Sequence, residues 1–287
     1  MWRMDLKGEI MVRRADLHLH TLHSDGVFFP SELVEKTKQA GIDVISITDH
    51  DNVAGVREGV AAGEQLGIDV IPGVELSTSV EGREVHILGY FIDSGNAGLS
   101  DFLKFLRGER LKRAERIVEK LHKLKIPLRM EKVLEKAGEG SVGRPHIANA
   151  MVEEGFTASY QEGFLKYLGI GCSAYVEKNH CSVEETLSII SESGGLSFIA
   201  HPGNSIPEQV LIRLIKAGTD GIETIHPSHS PETVARYRGI VNEYYLLESG
   251  GSDFHGGRKN DESALGRFTV PLSVVDTMRR RLFVDQK

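Results

Sequence analysis

Histidine and aspartate recur in this chain where short apolar runs end. Residues 16–20 read Asp-Leu-His-Leu-His, and comparable groups follow at 48–51 and 252–255. A β-strand alternates its side chains between two faces, so His18 and His20 lie on one face and together can hold one metal ion. Repetition at separate strand ends is improbable by coincidence. The chain therefore has to fold so that several strands end at one shared edge.

The first part of the chain alternates short β-runs with helices. Strands are predicted over 15–20, 43–48, 69–76 and 84–92, with helices over 31–40 and 51–66. Pro30 occupies the opening position of the first helix and Gly41 the position just beyond its end. Asp51 is a plausible N-cap for the second helix. Alternation of this kind predicts a parallel sheet with helical crossovers, an α/β fold.

The β pattern stops after residue 96 and returns late in the chain. Helices are predicted over 99–125, 131–137, 145–154 and 159–167. Three further helices, 183–193, 207–217 and 231–243, then alternate with strands over 196–200, 221–225 and 245–249. We interpret residues 1–97 and 179–287 as two parts of one α/β body, with 1–14 an N-terminal extension. Residues 98–178 form an all-helical insertion, which we call the helical insert.

Composition narrows the class of protein. The chain has 287 residues of which 40% are apolar, enough for a large core, and its net charge of −7 argues against binding nucleic acid over the whole surface. Without a long apolar run or a secretory leader, we expect a cytoplasmic protein that does not contact membranes. Cys172 and Cys181 are expected to be structural thiols rather than ligands.

Nine polar residues stand where predicted strands end or on strands beside them. They are His18, His20, Asp25, His50, Glu75, His86, His201, Asp253 and His255. Active sites of parallel α/β proteins are built at that edge. One ion takes about four to six ligands, so nine suit two or three ions, with Glu75 as a bridging carboxylate. Nitrogen and oxygen donors favour Zn²⁺, Mn²⁺ or Fe²⁺ over Cu⁺.

Other polar residues near these groups have a simpler interpretation. We expect His122, His146 and His180 to be satisfied polar side chains outside the site. Asp49 and Asp51 are expected to cap helices or to support the ligands rather than to bind metal.

The motifs of this chain, taken together, resemble those of the polymerase and histidinol phosphatase (PHP) superfamily. The resemblance rests on residues 16–21, 24–26, 48–51, 73–75, 86, 200–202 and 252–255. It implies a distorted seven-stranded (β/α) barrel with a trinuclear metal site. It further implies three ligand sets: His18, His20, Glu75 and Asp253; Glu75, His86 and His201; and Asp25, His50 and His255.

The helical insert and residues 143–148 resemble the small bacterial nucleoside 3′,5′-bisphosphate phosphatases, which also shorten RNAs from the 5′ end. Arg144 lies between a glycine and the proline that opens a helix, so we expect its guanidinium to clamp a phosphate. His229 is expected to bind phosphate or to protonate the leaving oxygen. His226 either stacks on a base or replaces an aromatic ring of the relatives.

The first helix of the insert carries an excess of basic residues. Residues 104–125 include nine basic and three acidic side chains. We interpret this run as a solvated helix face; the alternative is a surface that attracts polyphosphorylated or oligonucleotide substrates.

We predict a metal-dependent phosphoesterase, monomeric, that converts a nucleoside 3′,5′-bisphosphate to the 5′-monophosphate and also acts on short RNA 5′ ends. The ions activate water, Arg144 neutralises phosphoryl oxygens, and Asp253 or His229 moves the proton. The nearest alternative is a phosphatase of histidinol phosphate or another small monoester. A metal-binding accessory or proofreading module, and an amidohydrolase with Glu75 in place of a bridging lysine, are alternatives of other classes.

Overall fold

The computed structural model describes residues 3–4, 10–11, 13–177, 181–203, 206–257 and 261–285. His180, expected to be a satisfied polar residue, lies outside the described residues. Within the expected N-terminal extension, β1 (Arg3–Met4) pairs antiparallel with β2 (Ile10–Met11).

Eight strands of the described residues form one strongly curved sheet. Its strands are β3 (Arg14–Leu19), β4 (Val44–Ile47), β5 (Asp69–Val80), β6 (Arg83–Tyr90), β7 (Leu196–Ile199), β8 (Gly221–Ile225), β9 (Leu247–Gly250) and β10 (Val270–Pro271). The spatial order is β10-β3-β4-β5-β6-β7-β8-β9. Strands β3 to β5 run parallel, as do β7 to β9.

Strand β6 runs opposite to both of its neighbours, so the expectation of a wholly parallel sheet is wrong at this point. The reason is the two-residue connection between β5 and β6. Glu81 and Gly82 both have positive φ, 51° and 76°, as a tight hairpin turn requires. So short a loop can join only antiparallel strands, because a parallel pair needs a long crossover.

The two ends of the sheet approach each other. Leu19 forms a parallel bridge with Phe254, and the His20 amide donates to the Phe254 carbonyl at 3.0 Å. The Ser252 amide donates to Oδ1 of Asp16 at 2.9 Å. The sheet is thereby almost closed into the distorted seven-stranded barrel that the family resemblance implies, formed by β3 to β9 with the short β10 at its edge.

Helices surround the barrel and form the insert. Beside the barrel lie α1 (Pro30–Gln39), α2 (Val56–Leu66), α7 (Val183–Glu192), α8 (Glu208–Lys216), α9 (Pro231–Glu243) and α10 (Leu272–Asp285). Between β6 and β7 lie α3 (Ala97–Lys123), α4 (Met130–Ala137), α5 (Arg144–Glu153), α6 (Tyr160–Gly163) and a π-helical turn (Phe164–Leu168). Among the described residues, no helix is long and apolar enough to cross a membrane.

Asp51 does not cap α2, which corrects the prediction from sequence. The helix begins at Val56, and Asp51 has a left-handed φ of 50°. Its carboxylate instead accepts the Ser77 amide at 2.8 Å and pairs with the Arg110 guanidinium. Contacts with distant parts of the chain therefore override the local capping preference of aspartate.

Two groups of buried apolar residues meet along α3. Leu99, Leu103 and Leu106, in its first half, pack with barrel residues. From Ala114 onward the helix packs with α4 and α5 in a separate apolar cluster. We propose that residues 98–178 form an insert whose own apolar core begins near Ala114, while the first half of α3 anchors the insert to the barrel core.

Replacing Gly73 in β5 by alanine should destabilise the barrel. An added Cβ would lie 2.2 Å from Ser46 Oγ and 3.0 Å from the Ile47 carbonyl oxygen. Overpacking of this kind costs about 1–3 kcal/mol. Gly108→Ala in α3 is the control, since nothing lies within 4 Å of its added Cβ and alanine favours a helix by about 0.5–1 kcal/mol. Urea unfolding should give opposite signs; equal midpoints would contradict the packing described for Gly73.

Candidate metal centre

The structure brings all nine predicted ligand residues together at one mouth of the barrel. The imidazole centroids of His20 and His255 lie 4.2 Å apart, and those of His20 and His50 lie 4.8 Å apart. His86 is 5.0 Å from His50 and 5.3 Å from His201. Most of these residues lie at or just beyond the carboxyl ends of parallel strands. Glu75 and His86 instead lie inside the antiparallel pair β5 and β6.

The first group surrounds the end of β3. Nε2 of His18 and Nε2 of His20 lie 3.1 Å apart. Oδ1 of Asp253 is 3.4 Å from the former and 3.1 Å from the latter. Asp253 reaches this place in a left-handed conformation with φ of 50°, a sparsely populated state for a residue other than glycine.

Glu75 stands between this group and a second one. Its Oε2 lies 3.3 Å from His20 Nε2, whereas its Oε1 lies 2.8 Å from His86 Nδ1 and 2.9 Å from His201 Nε2. Burial alone would raise the pKa of the Glu75 carboxyl. The surrounding imidazoles, His50 and His86 foremost, outweigh burial and hold this pKa well below its usual range.

The third group forms around Asp25. Its Oδ1 lies 3.1 Å from His255 Nε2, 3.7 Å from His20 Nδ1 and 4.0 Å from His50 Nε2. His50 also places Nδ1 2.9 Å from Glu75 Oε2. His20 and His50 therefore each stand between two groups, whereas the family resemblance implies one ion for each of them.

These donor atoms suit divalent metal ions. Within each of four overlapping sets of three or four residues, donor atoms lie within 4.8 Å of one another. Bonds of about 2.0–2.2 Å to one tetrahedral ion place two donors about 3.4 Å apart, close to the separations found here. All donors are nitrogen or oxygen, so the residues present fit the metals that the sequence predicted.

Protonation differs among the histidines of the centre. Burial lowers the pKa of His50 to about 3, so its ring is neutral and offers a lone pair. Burial would also lower the pKa of His18, but Glu223, Asp253 and Glu75 raise it well above its usual value. A metal ion that binds His18 therefore displaces a proton.

Several supporting residues lie directly behind the ligands. Asp49 accepts hydrogen bonds from the Thr21 amide at 2.8 Å and from Ser24 Oγ at 2.5 Å, the supporting role expected for it. Glu223, which sequence reasoning missed, is fully buried beside His18. Its only sequence signal is a glutamate inside the apolar run Gly221–Ile225. That signal does not say where the side chain points.

A cavity of about 190 Å³ separates the ligand cluster from the helical insert, with His50, His86 and Arg144 among its lining residues. Arg144 is the first residue of α5. One amino group donates to the Leu168 carbonyl at 3.3 Å, and the other lies 3.7 Å from Glu84 Oε2. The guanidinium thus reaches the cavity opposite the ligand cluster.

The basic run of α3 is only in part a solvated face. Arg110 and Arg113 are buried and line the same cavity, which corrects our interpretation for these two residues. Arg110 pairs with Asp51 and donates to Ser77 Oγ at 2.8 Å. Arg113 donates to the Val176 carbonyl at 2.8 Å. Arg113 also lies 3.6 Å from Glu84 Oε2, and Glu84 lines the cavity too, so both guanidinium groups are held by protein partners at the edge of the cavity.

The geometry of His229 disagrees with its predicted role as phosphate ligand or acid. Nδ1 lies 2.9 Å from the Thr224 carbonyl oxygen, and Nε2 accepts the Gly203 amide at 3.0 Å. Burial lowers the pKa of its ring. A neutral ring that donates its one N–H to a backbone carbonyl and accepts a backbone amide at its other nitrogen offers no proton to a substrate.

His226 lies on the other side of the ligand cluster. Its Nε2 is 3.4 Å from Asp253 Oδ2, and Nδ1 is 2.8 Å from Ser228 Oγ. The ring is buried against the centre, which does not favour a role in stacking on a base.

His122 and His146 lie outside the centre, as expected. His122 Nε2 is 2.6 Å from the Leu128 carbonyl oxygen, and His146 Nδ1 accepts the Gly143 amide at 3.0 Å.

A barrel whose strand ends gather histidines and carboxylates around a shared glutamate defines a class, the metal-dependent hydrolases. Comparison with known proteins narrows this class. A family model described as the PHP domain matches residues 16–194, and the chain belongs to this family. It is a metal-dependent phosphoesterase.

Named relatives cover most of the chain. The 5′-3′ exoribonuclease Rnm of Salmonella typhimurium is 36% identical over 248 residues, 84% of each chain. The 3′,5′-nucleoside bisphosphate phosphatase of Chromobacterium violaceum is 32% identical over 253 residues, 85% of this chain and 89% of that one. A structure from Bifidobacterium adolescentis, described as a metal-dependent phosphoesterase, superimposes with a TM-score of 0.86 at 30% identity. It covers 93% of this chain and 96% of that one.

Changing His20 to alanine or Asp253 to asparagine should remove bound metal without unfolding the protein. His20→Ala deletes a donor from the first group, and Asp253→Asn replaces an anionic donor by a weaker neutral amide oxygen; losing a ligand also relieves crowding of charge in the metal-free centre. Elemental analysis after loading and desalting measures metal content, and circular dichroism checks the fold. His122→Ala, which removes a histidine outside the centre, should keep the wild-type content. Wild-type content in both site variants would exclude the two residues as ligands.

Proposed function

We propose that this phosphoesterase hydrolyses the phosphomonoester of a small nucleotide, converting a nucleoside 3′,5′-bisphosphate to the 5′-monophosphate. One observation carries the proposal: the cavity has two walls that suit anions. The proposed ligands Asp25, His50 and His86 line the cavity, and we assign them to one wall. We assign to the other wall the insert residues Arg110, Arg113 and Arg144, the last two of which lie beside Glu84. A nucleoside with two phosphates can place one phosphate at each wall. A simple monoester has a single phosphate and can use only one of the walls.

We propose two or three Mn²⁺, Zn²⁺ or Fe²⁺ ions, held by the nine ligands with Glu75 shared between them. When bound, such ions lower the pKa of coordinated water and neutralise phosphoryl charge. The charge on Arg144 attracts the second phosphate and orients the substrate, and guanidinium geometry suits bidentate contact with it. Tyr160 and Phe164 line the same cavity and offer apolar surface for the nucleoside.

The protein groups that move a proton are, in this proposal, Asp253 and His226. Oδ1 of Asp253 faces the ligand histidines, while Oδ2 faces His226 Nε2 at 3.4 Å. The Asp253 side chain is 20% exposed, so substrate can reach it. With His229 bonded to the backbone through both nitrogens, this pair remains close enough to the centre to protonate a leaving oxygen.

The names of the relatives support a nucleotide or RNA substrate. One is named a nucleoside bisphosphate phosphatase and the other a 5′-3′ exoribonuclease. We therefore include the 5′ ends of short RNAs as a second substrate of the same centre. Phosphorylated ends and bisphosphates both present phosphates on a nucleoside to the same two walls.

A substrate panel tests the proposal directly. Metal-loaded protein should hydrolyse 3′,5′-bisphosphates with a kcat/KM at least about tenfold above that for the matching 3′-monophosphates, because only the former reach both walls; one charge-assisted contact accounts for that factor. Histidinol phosphate and short 5′-phosphorylated RNAs complete the panel. Preference for histidinol phosphate would overturn the assignment in favour of a small-monoester phosphatase.

Arg144→Ala should lower kcat/KM for a 3′,5′-bisphosphate about ten- to a hundredfold, since a charge-assisted contact contributes about 1.5–3 kcal/mol. Metal content should not change. Hydrolysis of a small artificial monoester should fall much less, because that substrate does not reach the second wall. Arg144→Lys should restore only part of the loss.

Arg129→Ala is the matched control, since Arg129 is an exposed arginine at the start of α4 in the same insert. It should leave both activities unchanged. Equal losses on both substrates in Arg144→Ala would place Arg144 at the scissile phosphate instead. Unchanged kinetics would remove it from the substrate site.

A further inference from the structure

Glu223 in β8 contacts two ligand residues that come from different strands. Its side chain is fully buried. Oε1 lies 2.9 Å from Nδ1 of His18, a residue of β3. Oε2 accepts a hydrogen bond from the backbone amide of His201, which lies just beyond β7, at 2.6 Å. One carboxylate therefore holds members of two ligand groups at once.

We propose that Glu223 is a positioning residue of the metal centre, which sets the ring nitrogen presented by His18 and the place of His201. A carboxylate accepts hydrogen bonds and cannot donate them when ionised. Nδ1 of His18 must therefore carry the proton that it donates to Oε1. Nε2 is then the nitrogen left to bind a metal ion, and it faces Glu75, His20 and Asp253.

The loop that carries His201 needs such support, because His201 has a left-handed φ of 27°. Two further contacts hold the loop. The Gly203 amide donates to His229 Nε2 at 3.0 Å, and Tyr237 donates its hydroxyl to the Gly203 carbonyl at 2.6 Å. We call Glu223, His229 and Tyr237 the β8–α9 bracket. His229 belongs to it as a support for the loop, which accounts for a histidine that the reaction does not use.

An amide could not replace the carboxylate of Glu223. Glutamine offers one acceptor and one donor, so one of the two bonds would become a contact between two donors. Either the His201 amide loses its acceptor or His18 turns its proton toward the ligand group, where it blocks binding. Supporting carboxylates of this kind typically change metal affinity ten- to a hundredfold. The inference concerns metal retention and is independent of which nucleotide is hydrolysed.

Glu223→Gln tests the bracket in the full-length protein. Titration calorimetry with Zn²⁺ or Mn²⁺ should show affinity about ten- to a hundredfold weaker than wild type. Glu248→Gln is the matched control: Glu248 lies on the adjacent β9 and accepts from Thr224 Oγ1 at 2.5 Å and Arg238 Nε at 2.8 Å. It should bind metal like wild type. Wild-type affinity in Glu223→Gln would overturn the proposal, as would an equal loss in both variants.

A second measurement uses only the wild-type protein, so it tests the role of Glu223 even if Glu223→Gln does not fold. In Zn²⁺-loaded wild-type protein, ¹⁵N NMR of the histidine rings distinguishes the bound nitrogen from the protonated one. We expect His18 to bind zinc through Nε2 and to keep a proton on Nδ1. Binding through Nδ1 would overturn the role of Glu223, whatever the substrate panel shows.

Discussion

The candidate centre depends on the buried carboxylate of Glu75. Among the described residues, its two oxygens approach imidazoles from five histidines, brought in by β3, β4, β6 and β7. A buried carboxylate is costly unless it is paired, and here the close contacts with the nitrogens of these rings compensate the lost hydration. Bound metal ions would compensate the charge of the Glu75 carboxylate more strongly. Glu75 thus links the strands around it through contacts with their histidines.

Closure of the barrel makes this arrangement possible. His18 and Asp253 belong to opposite edges of the sheet, and they meet only because Phe254 pairs with Leu19. Reversal of β6 has a similar effect, since the hairpin at Glu81 returns the chain beside β5 and places His86 next to Glu75. Both features arise from backbone pairing, which fixes side-chain positions more firmly than a loop would.

Two carboxylates behind the ligands support different parts of the centre. Asp49 holds the turn that follows β3, and Glu223 holds His18 and the His201 loop. In front of them, the insert places Arg144 across a cavity from the ligands. The barrel thus holds the candidate metal ligands around its strand ends, and the insert contributes arginines to the cavity that these ligands line.

Local pattern in the sequence determined the elements: β8 and α9 have the bounds predicted for them, 221–225 and 231–243, and the strand-end histidines lie at one edge. The capping role predicted for Asp51 and the reactive role predicted for His229 disagree with the structure. The partners of these two residues lie far away in the sequence. Asp51 contacts Ser77 and Arg110, and His229 contacts Gly203. The role of Glu223 and the direction of β6 were likewise decided by the tertiary structure. The spacing of residues in the sequence reports helix or strand periodicity and turn chemistry. It does not report which distant groups come into contact when the barrel closes.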